Sequence, residues 1–236
     1  MDATLSYKKI SAGWRYLLFE TVFLPPILSL ILQLVFRCTD SAILNFAYFS
    51  VNFTAVAVLF RQFWADSFRA LPNKLPAVVG KAALALGISK LAELALAWLS
   101  YSLLPQYYIL SDLAPRLINL NDQAIYGMLD QHFLLIAIGT VILVPPAEEM
   151  LYRGVMFRSL RGRFPRLSYV FSALLFALVH VMGYLSCGDI VYIALMLSQY
   201  LIPGLILARL YAGTGSIFAP IAMHIAYNAL AILLSR

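Results

Sequence analysis

The stretch Val144-Pro-Pro-Ala-Glu-Glu-Met-Leu-Tyr-Arg-Gly154 sets two adjacent acids and an arginine directly behind an apolar run. An ionised side chain at the centre of a bilayer costs about 2.5–3.5 kcal/mol or more, so acids at that depth mark a functional site by default. On a helix, Glu149 and Arg153 are four apart and share a face, whereas Glu148 points about 100° away. One glutamate is placed to pair with the arginine, and the other is left free. Pro145 and Pro146 lack backbone N–H groups, so the spacing predicts a kink or break in the helix arriving from residue 132 and a new segment starting at Pro146. Glu148 and Glu149 then fall in a first helical turn, whose dipole favours carboxylates. Taken alone, the stretch fits equally well an ordinary helix end closed by a Glu149–Arg153 ion pair.

The rest of the chain supplies the membrane. Of its 236 residues, 62% are hydrophobic and 12% charged, against roughly 25% charged in a soluble domain. The mean hydropathy is +0.84. The reading is an all-α, polytopic transmembrane helix bundle of about seven spans, with six to eight allowed by broken or re-entrant helices. The net charge of +6 does not call for nucleic acid, because basic residues between apolar spans report orientation more simply. Cys38 and Cys187 are too few and too distant for a zinc knuckle. They fall on the same side of the predicted topology, as a disulfide or as two unrelated thiols.

The spans read as Leu17–Phe36, Ala42–Phe60, Ala82–Leu104, His132 onward, Leu167–Leu185, Ile190–Tyr211 and Ser216–Leu234. The first ends without a small-residue cleavage site and is read as retained; Pro25-Pro26 should kink it, and Glu20 is expected at the interface. Lys90 and Glu93, three apart, read as a neutralising pair or as part of a transport path. Pro203-Gly204 is expected to interrupt the sixth span. Residues 105–131 form the one sizeable loop, so residues 1–130 comprise the first three spans and an outer loop, and 131–236 a catalytic helix bundle. Lysines and arginines such as Lys8, Lys9, Arg15, Arg61, Arg69, Lys74, Lys81, Arg158, Arg161, Arg163 and Arg166 fall on one side, expected to be cytoplasmic, and only Arg37, Arg116 and Arg236 on the other.

In the last four spans the ionisable and amide side chains are Glu148, Glu149, Arg153, His180, Gln199, Arg209, His224 and Asn228. Phe176 and His180 are four apart, as are His224 and Asn228, so each pair shows one helix face. His132, at a span edge, reads as interfacial. No His-Glu-x-x-His, Gly-x-Ser-x-Gly or Gly-x-x-x-x-Gly-Lys occurs, which removes a zincin arrangement, a serine elbow and a phosphate loop. What remains is a carboxylate and an imidazole to activate water, and donors to stabilise an oxyanion, a set suited to amide hydrolysis. A polar network that only joins helices is the alternative.

Glu148-Glu149-x-x-x-Arg153, Phe176-x-x-x-His180 and His224-x-x-x-Asn228 resemble the motifs of the CPBP membrane proteases, which include type II CAAX prenyl endopeptidases and bacteriocin-processing proteins. Tyr211-Ala-Gly-Thr-Gly-Ser-Ile-Phe-Ala-Pro-Ile-Ala-Met-His224 is similar to the family's approach to its last motif. The resemblance covers roughly residues 140–232. It implies that Glu148 is the base for water, assisted by His180, that His224 and Asn228 hold the oxyanion, and that Glu149 and Arg153 orient helix and base. The family's motifs can also be drawn as metal ligands; a glutamate mechanism without metal or other cofactor is favoured, since only two of these motif residues are histidines and one is spaced with an amide. The implied partners are the bilayer and a membrane-associated protein or peptide substrate, and the compact size of the chain suggests a bacterial plasma membrane. The rival class is a non-catalytic membrane protein, such as an immunity factor or small transporter.

Overall fold

The computed structural model describes residues 5–103 and 120–234, all helical or in short connections. Helices α1 (Tyr7–Val22) and α2 (Leu24–Phe36) are followed by α3 (Ser41–Leu59), α4 (Arg61–Ala70), a 3₁₀ turn at Pro72–Lys74 and the long α5 (Leu75–Leu103). Helix α6 (Leu120–Ile138) leads through a π turn, Gly139–Leu143, into α7 (Val144–Glu149), a second π stretch, Met150–Phe157, and α8 (Arg158–Arg161). Then come α9 (Leu167–Val181), a 3₁₀ turn at Met182–Cys187, α10 (Ile190–Thr214) and α11 (Phe218–Leu234).

Among the described residues, 41–59, 72–100, 123–161, 167–186 and 190–214 are long and apolar enough to cross a membrane. The α1–α2 pair, bent by 50°, makes a sixth if it counts as one span. The bend falls just before Pro25-Pro26, whose missing N–H groups cannot continue the ladder. The seventh expected span is α11, which has 17 residues. Large side chains on α2 and α5, among them Leu34, Phe36, Leu84, Leu91 and Trp98, point outward, as a lipid-facing surface requires. Asp40 starts α3 by accepting the Ala42 and Ile43 amides at 2.8 and 3.2 Å, and Asp189 does the same for α10. Basic side chains close helix ends on the other side: Lys9 Nζ donates to the Leu59 carbonyl, and Lys74 and Lys81 to those of Gly215 and Gly213. There they satisfy last-turn carbonyls and the negative end of the dipole.

The segment 144–157 is the centre of the bundle. All eight residues of Met150–Phe157 are buried, and they pack with Leu17, Val56, Phe60, Phe176 and Tyr211. Helix α1 reaches this segment through Gly13, where a Cβ would meet both Val155 methyls at 2.7 Å. Gly204 has the same role on α10: a Cβ there would lie 3.1 Å from Ala173 Cα on α9.

The structure corrects five expectations. The chain does not break at Pro145-Pro146; it stays helical, with a π turn just ahead of the prolines. Glu148 and Glu149 therefore lie within a continuing helical path and not in a first turn. Helix α10 likewise runs unbroken through Pro203. Glu20 is not interfacial but 3% exposed, bonded to Tyr48 and Asn52. The loop expected over 105–131 gives way to helix at Leu120, because Met128 and Leu129 bury against Ala42, Ile136 and Ile232; the loop's Asp112 and Arg116 lie outside the described residues.

His132 Nε2 sits 2.8 Å from Asp40 Oδ2 at a kink in α6. The Ile43 amide, and then His132, hold the Asp40 carboxyl below the usual carboxylate range. Lys90 pairs with Glu93 at 2.8 Å, and Tyr227 also donates to Glu93. Cys38 is a free thiol.

The Gly204 contact is testable. Gly204→Val should cost about 1–3 kcal/mol through overpacking against the α9 backbone, read as a lower thermal midpoint in detergent, with Gly204→Ala intermediate.

Candidate active site

The acidic pair sits where α7 widens into the second π stretch. Glu149 and Arg153 are both 0% exposed. Glu149 Oε1 accepts from Arg153 Nη1 at 2.9 Å and lies 2.9 Å from His224 Nδ1. Arg153 Nη2 donates to the Gly204 carbonyl at 3.0 Å, and its guanidinium lies 4.7 Å from the Phe176 ring centre. One buried carboxylate thus ties this helical stretch to α11, and one guanidinium ties it to α10. A planar, forked cation suits this task because it serves two acceptors at fixed angles.

Glu148 projects to the other side, with its side chain 19% exposed. Its Oε1 lies 3.8 Å from His180 Nε2, and its Oε2 3.9 Å from His224 Nε2. Both gaps exceed a direct hydrogen bond but fall within reach of one bridging water, which needs about 2.8 Å to each side. Oε2 is buried and makes no hydrogen bond, so it offers a lone pair to a donor that enters the gap.

The far nitrogens fix what the near ones can do. His180 Nδ1 lies 2.8 Å from the Phe176 carbonyl, which can only accept, so Nδ1 carries a proton. By the same reasoning His224 Nδ1 donates to Glu149. Each Nε2 is then an acceptor in the neutral ring. His224 Nε2 donates only when the ring carries both protons, a state in which Glu149 is its counter-ion. The His180 ring is held by stacking on Tyr200 of α10, 4.4 Å between centres, and by Phe176 at 4.6 Å.

Asn228 is one turn from His224, and its Nδ2 donates to the Thr140 carbonyl at 2.8 Å. That carbonyl lies in the π turn. Val144 N–H reaches back to Gly139, and Pro145 has no N–H to offer, so Thr140 depends on another donor. Asn228 supplies it with one proton and retains a second N–H.

Of the residues singled out by spacing, Glu148, Glu149, Arg153, His180 and His224 converge, and Asn228 joins their helix to the π turn. Gln199 instead lines a separate cleft with Ser89, Glu93, Pro203 and Tyr227. Sequence reasoning missed Thr140, Gly204 and Tyr200, whose partners lie 88, 51 and 20 positions away; only the prolines beside Gly204 and after Thr140 hint at orphaned backbone groups. Among the described residues no group of three or more His, Cys, Asp or Glu is arranged to hold a metal ion.

Residues 130–230 match the family described as type II CAAX prenyl endopeptidase Rce1-like, a segment that contains all six motif residues. No curated protein and no solved structure matches the chain.

Removing the guanidinium isolates a buried carboxylate. Arg153→Ala should destabilise the protein by about 3–5 kcal/mol, and Arg153→Lys should recover only part, since an ammonium lacks the fork that serves Glu149 and Gly204 together. Thermal unfolding of the detergent-solubilised variants checks both.

Proposed function

Because residues 130–230 match the type II CAAX prenyl endopeptidase Rce1-like family, we propose that this chain is an intramembrane endopeptidase that hydrolyses a peptide bond of a membrane-associated or lipidated protein with water activated by Glu148. The observation that carries this reading is the facing of both Glu148 oxygens by imidazole Nε2 atoms, at 3.8 and 3.9 Å.

In this mechanism a water sits between Glu148 and His180. Glu148 takes one of its protons as the oxygen attacks the scissile carbonyl, and His180 Nε2 accepts a hydrogen bond that orients it. The carbonyl becomes a tetrahedral oxyanion, which the doubly protonated His224 Nε2 and the second N–H of Asn228 stabilise. Glu148 then passes its proton to the departing amine as the C–N bond breaks. Glu149 and Arg153 touch no substrate; they hold His224 and the helix of the base. The basic loops would face the cytoplasm of a bacterial plasma membrane, and the substrate would enter from the bilayer.

The test uses the full-length protein in liposomes with membrane-anchored peptides, prenylated and unprenylated. Glu148→Gln should lower cleavage by about 10²–10⁴-fold, and a strong chelator should leave wild-type turnover intact. Asn228→Ala should reduce kcat by about 10²–10³-fold at little changed KM. Loss with chelator and recovery with zinc would assign the histidines to a metal instead. Cleavage that never depends on Glu148 would leave a non-catalytic membrane protein, such as an immunity factor or small transporter.

A further inference from the structure

Tyr200 belongs to none of the three motifs, yet its ring stacks on one of the two imidazoles that face Glu148. The ring centres of Tyr200 and His180 lie 4.4 Å apart and their planes are inclined by 27°. Two other contacts of His180 come from its own helix: Nδ1 donates to the Phe176 carbonyl at 2.8 Å, and the Phe176 ring centre lies 4.6 Å away. Both belong to a residue one turn back on α9 and move with that helix. A hydrogen bond at Nδ1 fixes one atom and leaves the ring free to rock about it, and Nε2, across the ring, travels furthest. Nε2 is the atom that stands 3.8 Å from Glu148 Oε1. A flat face brought by a second helix removes that freedom.

Helix α10 is built to deliver the face. Tyr192, Met196, Tyr200, Gly204 and Ala208 recur at every fourth position, which makes them one ridge of the helix. Contacts along its length turn this ridge to α9. Tyr192 and Met196 pack with Val181, and a Cβ on Gly204 would lie 3.1 Å from Ala173 Cα. One turn beyond Tyr200, the Gly204 carbonyl accepts Arg153 Nη2 at 3.0 Å, so the ridge is pinned to the acidic segment as well. Tyr192, Met196, Gly204 and Ala208 are buried, whereas Tyr200 is half-buried, at the level where the partly exposed His180 and Glu148 face each other. Leucine or methionine would fill a gap between two helices, and neither has a flat face to offer an imidazole.

On the protease reading above, we infer that Tyr200 is a positioning residue of the reaction centre, whose ring face holds the His180 imidazole in the orientation that keeps Nε2 toward Glu148 and the water between them. Tyr200 acts through His180 and exchanges no proton. An aromatic face attracts a neutral ring by stacking and a cationic one through its quadrupole, so the support outlasts a change in the imidazole's charge. A misplacement of about 1 Å near the chemistry can cost about 10²-fold, and the loss of the face is therefore read in kcat.

Full-length variants in liposomes, with the membrane-anchored peptides, test this. Tyr200→Leu removes the face and should lower kcat about ten- to a hundred-fold per folded molecule at little changed KM. The conservative Tyr200→Phe keeps the face and should restore most of what Tyr200→Leu loses. Should Tyr200→Leu fail to fold, Tyr200→Met takes its place with the same expected loss, since a flexible thioether fills the gap without a face. Wild-type kcat in the faceless variant overturns the inference, as does a change in KM alone. Tyr200→Phe as slow as Tyr200→Leu also overturns it, by assigning the effect to the hydroxyl. A readout without turnover separates this inference from the protease reading. The NMR order parameter of the His180 ring, its signal identified by its disappearance in His180→Gln, should fall in Tyr200→Leu and hold in Tyr200→Phe. An order parameter unmoved in Tyr200→Leu overturns the inference whether or not the protein cleaves anything.

Discussion

The bonds from Glu149 to Arg153 and His224 hold the bundle's interior in register. A carboxylate with no exposed surface has little water to solvate it, so its charge depends on protein donors. Arg153 meets it from one helical turn away and His224 from α11, and the guanidinium's remaining arm reaches the α10 backbone at Gly204. Three helical elements are thus locked by one ion pair and its branches. The position of His224, and so the distance from its free nitrogen to Glu148, follows from that lock rather than from anything Glu148 itself does.

Backbone chemistry sets the other half of the geometry. Two consecutive prolines leave the helix short of donors just before the acidic pair, and the chain answers with a wider turn instead of a break. The wider turn orphans a different carbonyl, and an amide from the last helix takes it up. The glutamates are presented by a helix whose local unwinding is held from outside by Asn228 through one of its two amide protons. π turns of this kind recur at functional sites.

The membrane class, the helix class and most of the side chains that converge at the candidate site were legible in the sequence. Composition and span length settle the first two, and i,i+4 spacing finds Glu149–Arg153 and the His224–Asn228 face. Spacing stops being informative once a bond crosses between helices. The His224–Glu149 contact joins positions 75 apart, and nothing local announces it. Glu20 was misplaced for a related reason: a lone acid near the start of an apolar span reads as interfacial, and only the neighbouring helix, with Tyr48 and Asn52, shows that it turns inward. The continuity through Pro145 and Pro203 was missed because local rules set the cost of a proline and tertiary bonds offset it.

The continuity of residues 123–161 has a bearing on the depth of the acidic pair. That apolar stretch has 39 residues, about 58 Å of helix at 1.5 Å per residue, against a hydrocarbon core of about 30 Å. A stretch so much longer than the core must tilt or run past it, and Arg158 and Arg161 stand at its far end. Glu148 precedes Arg158 by ten positions, about 15 Å of helix, so the two acids belong to the part of the stretch nearer its charged end and not to its apolar middle.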